Sequence, residues 1–176
     1  MADRRMFFAL WPGEPVRDEL ISRVDADTSI RGRRHVPGDL HMTLVFLGNV
    51  KAEQLSCIEQ VAADVDARSF ELQIDHTGYW SRPKIVWAAP DVMPQPLAQL
   101  VKDLQQGLKS CGFEPEKRPY RPHVTLFRKA QKLAPGRIEP VIPWRVREFV
   151  LAASAPPGEG DGRYRIMQRW PMRDDD

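Results

Sequence analysis

Apolar and polar positions along the chain switch between two rhythms, and each switch marks an element. Residues 5–11 are almost unbroken apolar and aromatic, the pattern of a buried strand. Pro12, Gly13, Glu14 and Pro15 make a turn into a helix whose apolar stripe is Val16, Leu20, Ile21 and Val24. A polar, basic loop runs to Asp39. A strand is predicted over 41–47, closed by Gly48 and Asn49. A second helix spans 52–68, with Leu55, Ile58, Val61 and Val65 on one face. Phe70, Leu72 and Ile74 alternate as a strand, and 83–89 reads as another. Leu97, Leu100, Val101, Leu104 and Leu108 mark a third helix, stopped at Gly112. Strands are expected at 123–127, 146–152 and 163–170, the last two separated by a flexible Pro- and Gly-rich connection.

The layout repeats. A strand ending in Trp11-Pro12 leads to a helix, a basic loop and His41. A strand ending in Ala89-Pro90 leads to a helix, a basic loop and His123. Two strand–helix–strand units of this kind pack around a pseudo-two-fold axis, with matching strands facing across a cleft.

The repeated units end in the same tetrad, His41-Met42-Thr43-Leu44 and His123-Val124-Thr125-Leu126. The chain has four histidines and four threonines, and half of each lie here. Two such matches arise by chance on the order of once in 10⁴ to 10⁵. In a strand, residues i and i+2 share a face, so His41 projects with Thr43 and His123 with Thr125. Met42, Leu44 and Phe46 then face the core. Two imidazoles titrating near neutrality suit one general acid and one general base. Two hydroxyls donate hydrogen bonds to an oxyanion without adding charge. The guest that fits is a phosphodiester. No acidic residue or cysteine lies at ligand spacing within either tetrad, so no metal and no cofactor is expected.

Charge sharpens the choice of guest. The net charge is +2, but Asp174, Asp175 and Asp176 form an acidic tail that reads as a frayed end. Arginines and lysines cluster at Arg31, Arg33 and Arg34, at Lys117, Arg118 and Arg121, and at Arg128 and Lys129, as suits a polyanion such as RNA. No run of 18 apolar residues exists, so no membrane span is expected. Cys57 and Cys111 are far apart in sequence and form no framework, which favours a reducing cytoplasm. At 176 residues, the expectation is one bilobal domain over 1–173 followed by the tail at 174–176.

These motifs resemble the two-histidine phosphoesterase superfamily, and within it the bacterial RNA 2′,3′-cyclic phosphodiesterases, also known as 2′-5′ RNA ligases. The resemblance covers nearly the whole chain. It includes Phe7-Phe8-Ala9-Leu10, the stretch from Val36 to Gly48 around the first motif, Arg118 to Leu126 around the second, Phe149-Val150-Leu151, and Arg163-Tyr164. The chain departs from the family at His35, where relatives usually carry tryptophan. The resemblance implies an α+β, bilobal fold with two pseudo-two-fold-related antiparallel sheets facing a central cleft and helices packed outside. It implies metal-independent hydrolysis of RNA-terminal 2′,3′-cyclic phosphate to a 2′-phosphate, with His41 as proton donor, His123 as proton acceptor, and Thr43 and Thr125 on the non-bridging oxygens. It also implies that Phe46 and Arg128 hold the terminal nucleotide. Strand parity argues against those two, because an odd offset points away from the cleft unless the strand bulges.

Arg121, held extended by Pro122, is a candidate for the cleft rim. His76 reads as a core histidine with a satisfied hydrogen bond, and His35, in a loop near the first motif, as a residue that touches RNA or simply lies at the surface. Trp80, Trp87, Trp144 and Trp170 read as core. The partner expected is RNA ending in a cyclic phosphate, bound by a monomer. Competing readings are 2′-5′ joining or cleavage, a phosphodiesterase for small cyclic nucleotides, and a non-catalytic nucleotide- or RNA-binding module. The last has no need for two titrating groups.

Overall fold

The computed structural model describes residues 4–156, 158, 160 and 162–174. Nine strands lie in these residues: β1 (Arg4–Leu10), β2 (Arg33–Arg34), β3 (Met42–Val50), β4 (Phe70–Ser81), β5 (Lys84–Ala89), β6 (Val124–Arg128), β7 (Gly136–Val146), β8 (Glu148–Ser154) and β9 (Tyr164–Pro171). Three α-helices accompany them: α1 (Glu14–Ala26), α2 (Leu55–Asp64) and α3 (Gln95–Leu108).

The strand order is β7-β4-β5-β6-β3-β1-β8-β9, with β2 pairing beside β6. Read outward from the middle, each half runs motif strand, strand before the helix, inner flank, outer edge. The repeat in the sequence is therefore a repeat in the sheet. The two antiparallel halves meet through one residue pair, Met42 with Val124.

Each strand of the repeat feeds two faces. In β1, Met6, Phe8 and Leu10 enter the main core, while Phe7 and Ala9 join Val150 and Ala152 in a smaller cluster on the opposite face. This double burial is why β1 reads as a continuous apolar run. The main core lies between sheet and helices. Helix α1 also packs on β7, and α3 on β3, so each half's helix reaches the other half. Pro15 and Pro96 stand in the first turns of α1 and α3, where the missing N–H costs nothing. Gly112, at φ 94, closes the helical run after α3, and the Phe113 N–H returns to the Leu108 carbonyl.

Several expectations are corrected. Helix α2 is shorter than 52–68 and ends at Asp64. Strand β3 does not stop at Gly48 but runs to Val50, and Gly48 takes φ 70 inside it. Strand β7 was not expected. Pro140 and Pro143 lie in it, and proline is tolerated there because β7 is a sheet edge. Cys57 and Cys111 are joined in a disulfide, because α2 packs against α3 and closes a separation of 54 residues. The reading of two unrelated thiols, and the compartment drawn from it, loses that support. Asp174 is not frayed: it accepts a 2.7 Å hydrogen bond from Ser69 Oγ. Asp175 and Asp176 lie outside the described residues.

Trp144 and Trp170 are buried as expected. Trp80 and Trp87 are half-buried and pack on each other, with centroids 5.3 Å apart. Gly78 leaves room for Trp87: a Cβ on Gly78 would stand 2.3 Å from that ring.

Candidate active site

Both motif histidines sit one residue before their strands, where the chain enters the sheet beside the join of the two halves. Each ring is anchored in the same way. His41 Nδ1 lies 2.6 Å from the Asp39 carbonyl, and His123 Nδ1 lies 2.9 Å from the Arg121 carbonyl. A carbonyl only accepts, so Nδ1 carries the hydrogen in both neutral rings. That leaves each Nε2 free to take or give a proton. Both rings line one cavity of about 700 Å³, together with Thr43, Thr125, Phe46 and Arg128.

Phe46 and Arg128 face the cleft despite their odd offset because each motif strand carries a bulge. Phe8 pairs with Val45 and Ala9 with Thr43, so Leu44 is an extra residue in β3. Val86 pairs with Phe127 and Trp87 with Thr125, so Leu126 is an extra residue in β6. Each bulge directly follows a motif threonine and turns the next cleft-facing position from an odd step into an even one. Phe46 and Arg128 therefore face the cavity. Phe46 is 66% exposed and fills no core.

His35 is not on the surface but 7% exposed. The short β2 strand pairs with β6, and the His35 N–H donates to the Leu126 carbonyl. Arg128 Nε donates to His35 Nε2 at 2.9 Å, and Arg128 Nη2 donates to the Tyr164 hydroxyl at 3.3 Å. The guanidinium is thus gripped from two sides over the cavity. Burial, then the charges of Arg128, His41 and Arg163, hold His35 down at about 4, which keeps it a neutral acceptor for Arg128.

The same cause acts on the motif pair. Burial lowers His41 from 6.5 to about 4, against the opposing pull of its bond to Asp39, with Arg128 and His123 lowering it further. Burial also lowers His123, partly offset by its bond to the Arg121 carbonyl. Among the described lining residues none is a carboxylate, while Arg5, Arg128 and Arg163 are cationic. The cleft therefore favours an anion, and its burial disfavours the charged form of each imidazole.

A model of the 2′-5′ RNA ligase superfamily matches residues 12–155. The chain belongs to that superfamily. RNA 2′,3′-cyclic phosphodiesterase of Escherichia coli (strain K12) is 33% identical over 96% of this chain and 97% of its own. RNA 2′,3′-cyclic phosphodiesterase of Thermus thermophilus is 28% identical over 96% of this chain and 90% of its own. The crystal structure of E. coli LigT complexed with 3′-AMP superposes with a TM-score of 0.87 at 31% identity, covering 97% of this chain and 98% of that one. The α+β architecture is thus shared with LigT over 97% of the chain.

Some residues of this superfamily site escaped the sequence reading. Asp39 is buried and accepts the Arg163 N–H at 2.9 Å, tying the residue just before β9 to the His41 anchor. Trp11 stacks on His41, with centroids 4.7 Å apart, and its Nε1 donates to the Gly38 carbonyl. The buried Tyr120 hydroxyl donates to the Thr43 carbonyl at 2.7 Å. The only sequence signal was proximity to the motifs for Asp39 and Tyr120, and for Trp11 its place at the end of the first repeat strand. Arg121 does not line the cavity; it lies over the Trp80 ring in the neighbouring hollow. His76 has its partner but is half-buried: its Nδ1 lies between Asp75 and Asp91, at 2.8 and 3.1 Å. These three side chains could ligate a metal, but Arg137 already pairs with both carboxylates and the cluster is outside the cavity.

Proposed function

We propose that this chain is an RNA 2′,3′-cyclic phosphodiesterase that opens the terminal cyclic phosphate without metal and leaves a 2′-phosphate. The observation that carries the reading is the pair of anchored imidazoles whose free Nε2 atoms serve one cavity, beside two threonines and a held arginine and with no carboxylate among its described lining residues. Family membership and the names of its relatives support the substrate.

In the proposed step, water attacks phosphorus in line with the ribose 3′ oxygen, and its proton passes to His123 Nε2. The bond from phosphorus to the 3′ oxygen breaks, and that oxygen takes a proton from His41 Nε2. The product carries a 2′-phosphate and a 3′ hydroxyl. Thr43 and Thr125 donate to the non-bridging oxygens, and Arg128 offsets the charge that gathers there. His35 is a positioning residue for Arg128. Phe46 offers an apolar face to the terminal base. RNA as substrate supports a cytoplasmic site of action. The Cys57–Cys111 bond speaks against a strongly reducing one.

The test is a cyclic-phosphate-ended oligonucleotide incubated with the protein in chelator, with products read by phosphorus NMR against both authentic monophosphates. A dominant 2′-phosphate is expected. A dominant 3′-phosphate would exchange the roles of the histidines, and activity that returns only with added metal would overturn the mechanism.

A further inference from the structure

The cleft does not end at His123. A second hollow of about 680 Å³ opens beyond Phe46 and shares Thr43, Phe46 and His123 with the catalytic cavity. Phe46 stands between the two, and its exposure leaves ring surface available to both. The wall of the second hollow is aromatic. Trp80 meets the His123 ring at 4.6 Å between centroids, and the Arg121 guanidinium lies 6.0 Å from the Trp80 ring centroid. Arg82 and Arg118 complete the basic side, and Glu116 is the one carboxylate in the lining. Among the described residues, the side chains of Arg82, Arg118 and Arg121 make no salt bridge or hydrogen bond.

Guanidiniums without carboxylate partners beside a half-buried aromatic wall and the exposed Phe46 ring are what single-stranded nucleic acid requires. The phosphates take the charge, and the bases take the flat surfaces. A substrate of one nucleotide would leave this hollow unused. An RNA end held at the two histidines must continue away from them along the 5′ direction, and the second hollow is continuous with the reaction centre.

We infer that the second hollow is the subsite for the nucleotide preceding the terminal one, its base stacked on the Arg121–Trp80 pair and its phosphate held by Arg82 and Arg118. This rests on the phosphodiesterase reading and adds where the RNA leaves the reaction centre and which side chains hold its second nucleotide.

The experiment compares kcat/KM for a 2′,3′-cyclic mononucleotide, a dinucleotide and a tetranucleotide with the same terminal base and cyclic phosphate. The step from one nucleotide to two should raise kcat/KM about 10-fold or more, the usual worth of one stacked base with its phosphate. The Arg82→Ala/Arg118→Ala double variant should shrink the dinucleotide-to-mononucleotide ratio several-fold, and so should added salt. Both substitutions are at exposed positions, and circular dichroism verifies the fold. A ratio near one in the parent protein, or a ratio that the double variant leaves unchanged, would overturn the subsite while leaving the phosphodiesterase reading intact. No turnover of any of the three by folded protein would defeat both.

Discussion

His41 and His123 occupy equivalent places in the repeat and are anchored by equivalent bonds, yet their surroundings differ. His41 is walled by Trp11 stacked on one face, Phe7 at 4.9 Å and the edge of Tyr164 at 5.1 Å. His123 meets Trp80 and otherwise opens toward the second hollow. The backbone supplies two interchangeable groups, and the side chains around them remove the equivalence. One ring is fixed in orientation and strongly desolvated. The other stays nearer to solvent, where a water to be activated can arrive. Two identical groups given different environments can take different tasks.

The strongest way to break this comparison is to delete each ring. His41→Ala and His123→Ala should each lower kcat by roughly 10² to 10⁴, the usual worth of a general acid or base. Thr43→Ala and Thr125→Ala should cost less, about 10²-fold at most, since each removes one neutral donor. Steady-state kinetics on folded variants checks both. A His123→Ala protein with full activity would mean that the pair does not act as a pair.

His35 tests whether the grip on Arg128 matters. His35→Ala removes the acceptor for Arg128 Nε and should raise KM about 10-fold, the worth of a hydrogen bond to a charged group. His35→Gln, which keeps an acceptor, should recover part of that. Equal losses in the two variants would reduce His35 to packing.

The smallest expected effect sharpens the asymmetry through pH. Burial lowers both motif histidines from their ordinary value, His41 to about 4. kcat/KM reports the free enzyme and should peak on the acid side of 6.5. A bound phosphodiester brings negative charge into the same space, favours both imidazolium forms and raises both values. The kcat profile should therefore lie at higher pH than the kcat/KM profile. Coincident profiles would show that bound phosphate does not retune the pair. The apparent constants belong to the pair and not to either ring.

The repeat, the motifs and the helix faces were legible because each depends on local periodicity. His41, Thr43, His123 and Thr125 share a cavity, as the i, i+2 spacing and the repeat together predicted. The facing of Phe46 and Arg128 was not legible, because a bulge is a matter of pairing between strands and leaves no mark in one strand's pattern. Strand β7 was hidden by prolines that only an edge position permits. Burial of His35 depends on a two-residue strand contributed to the other half, and the Cys57–Cys111 bond on helices meeting across a long separation. What the sequence concealed was in each case contact between distant segments.

Gly78 extends the reach of the site to a position no substrate atom approaches. It lies under Trp87; Trp87 packs on Trp80 at 5.3 Å, and Trp80 meets His123. Only a hydrogen atom fits at residue 78, so even a methyl group there must displace Trp87 or bend the strand. A survey of tolerated substitutions would find this position nearly as restricted as the histidines. The restriction would look like a signature of chemistry, although its origin is a ring that has nowhere else to go.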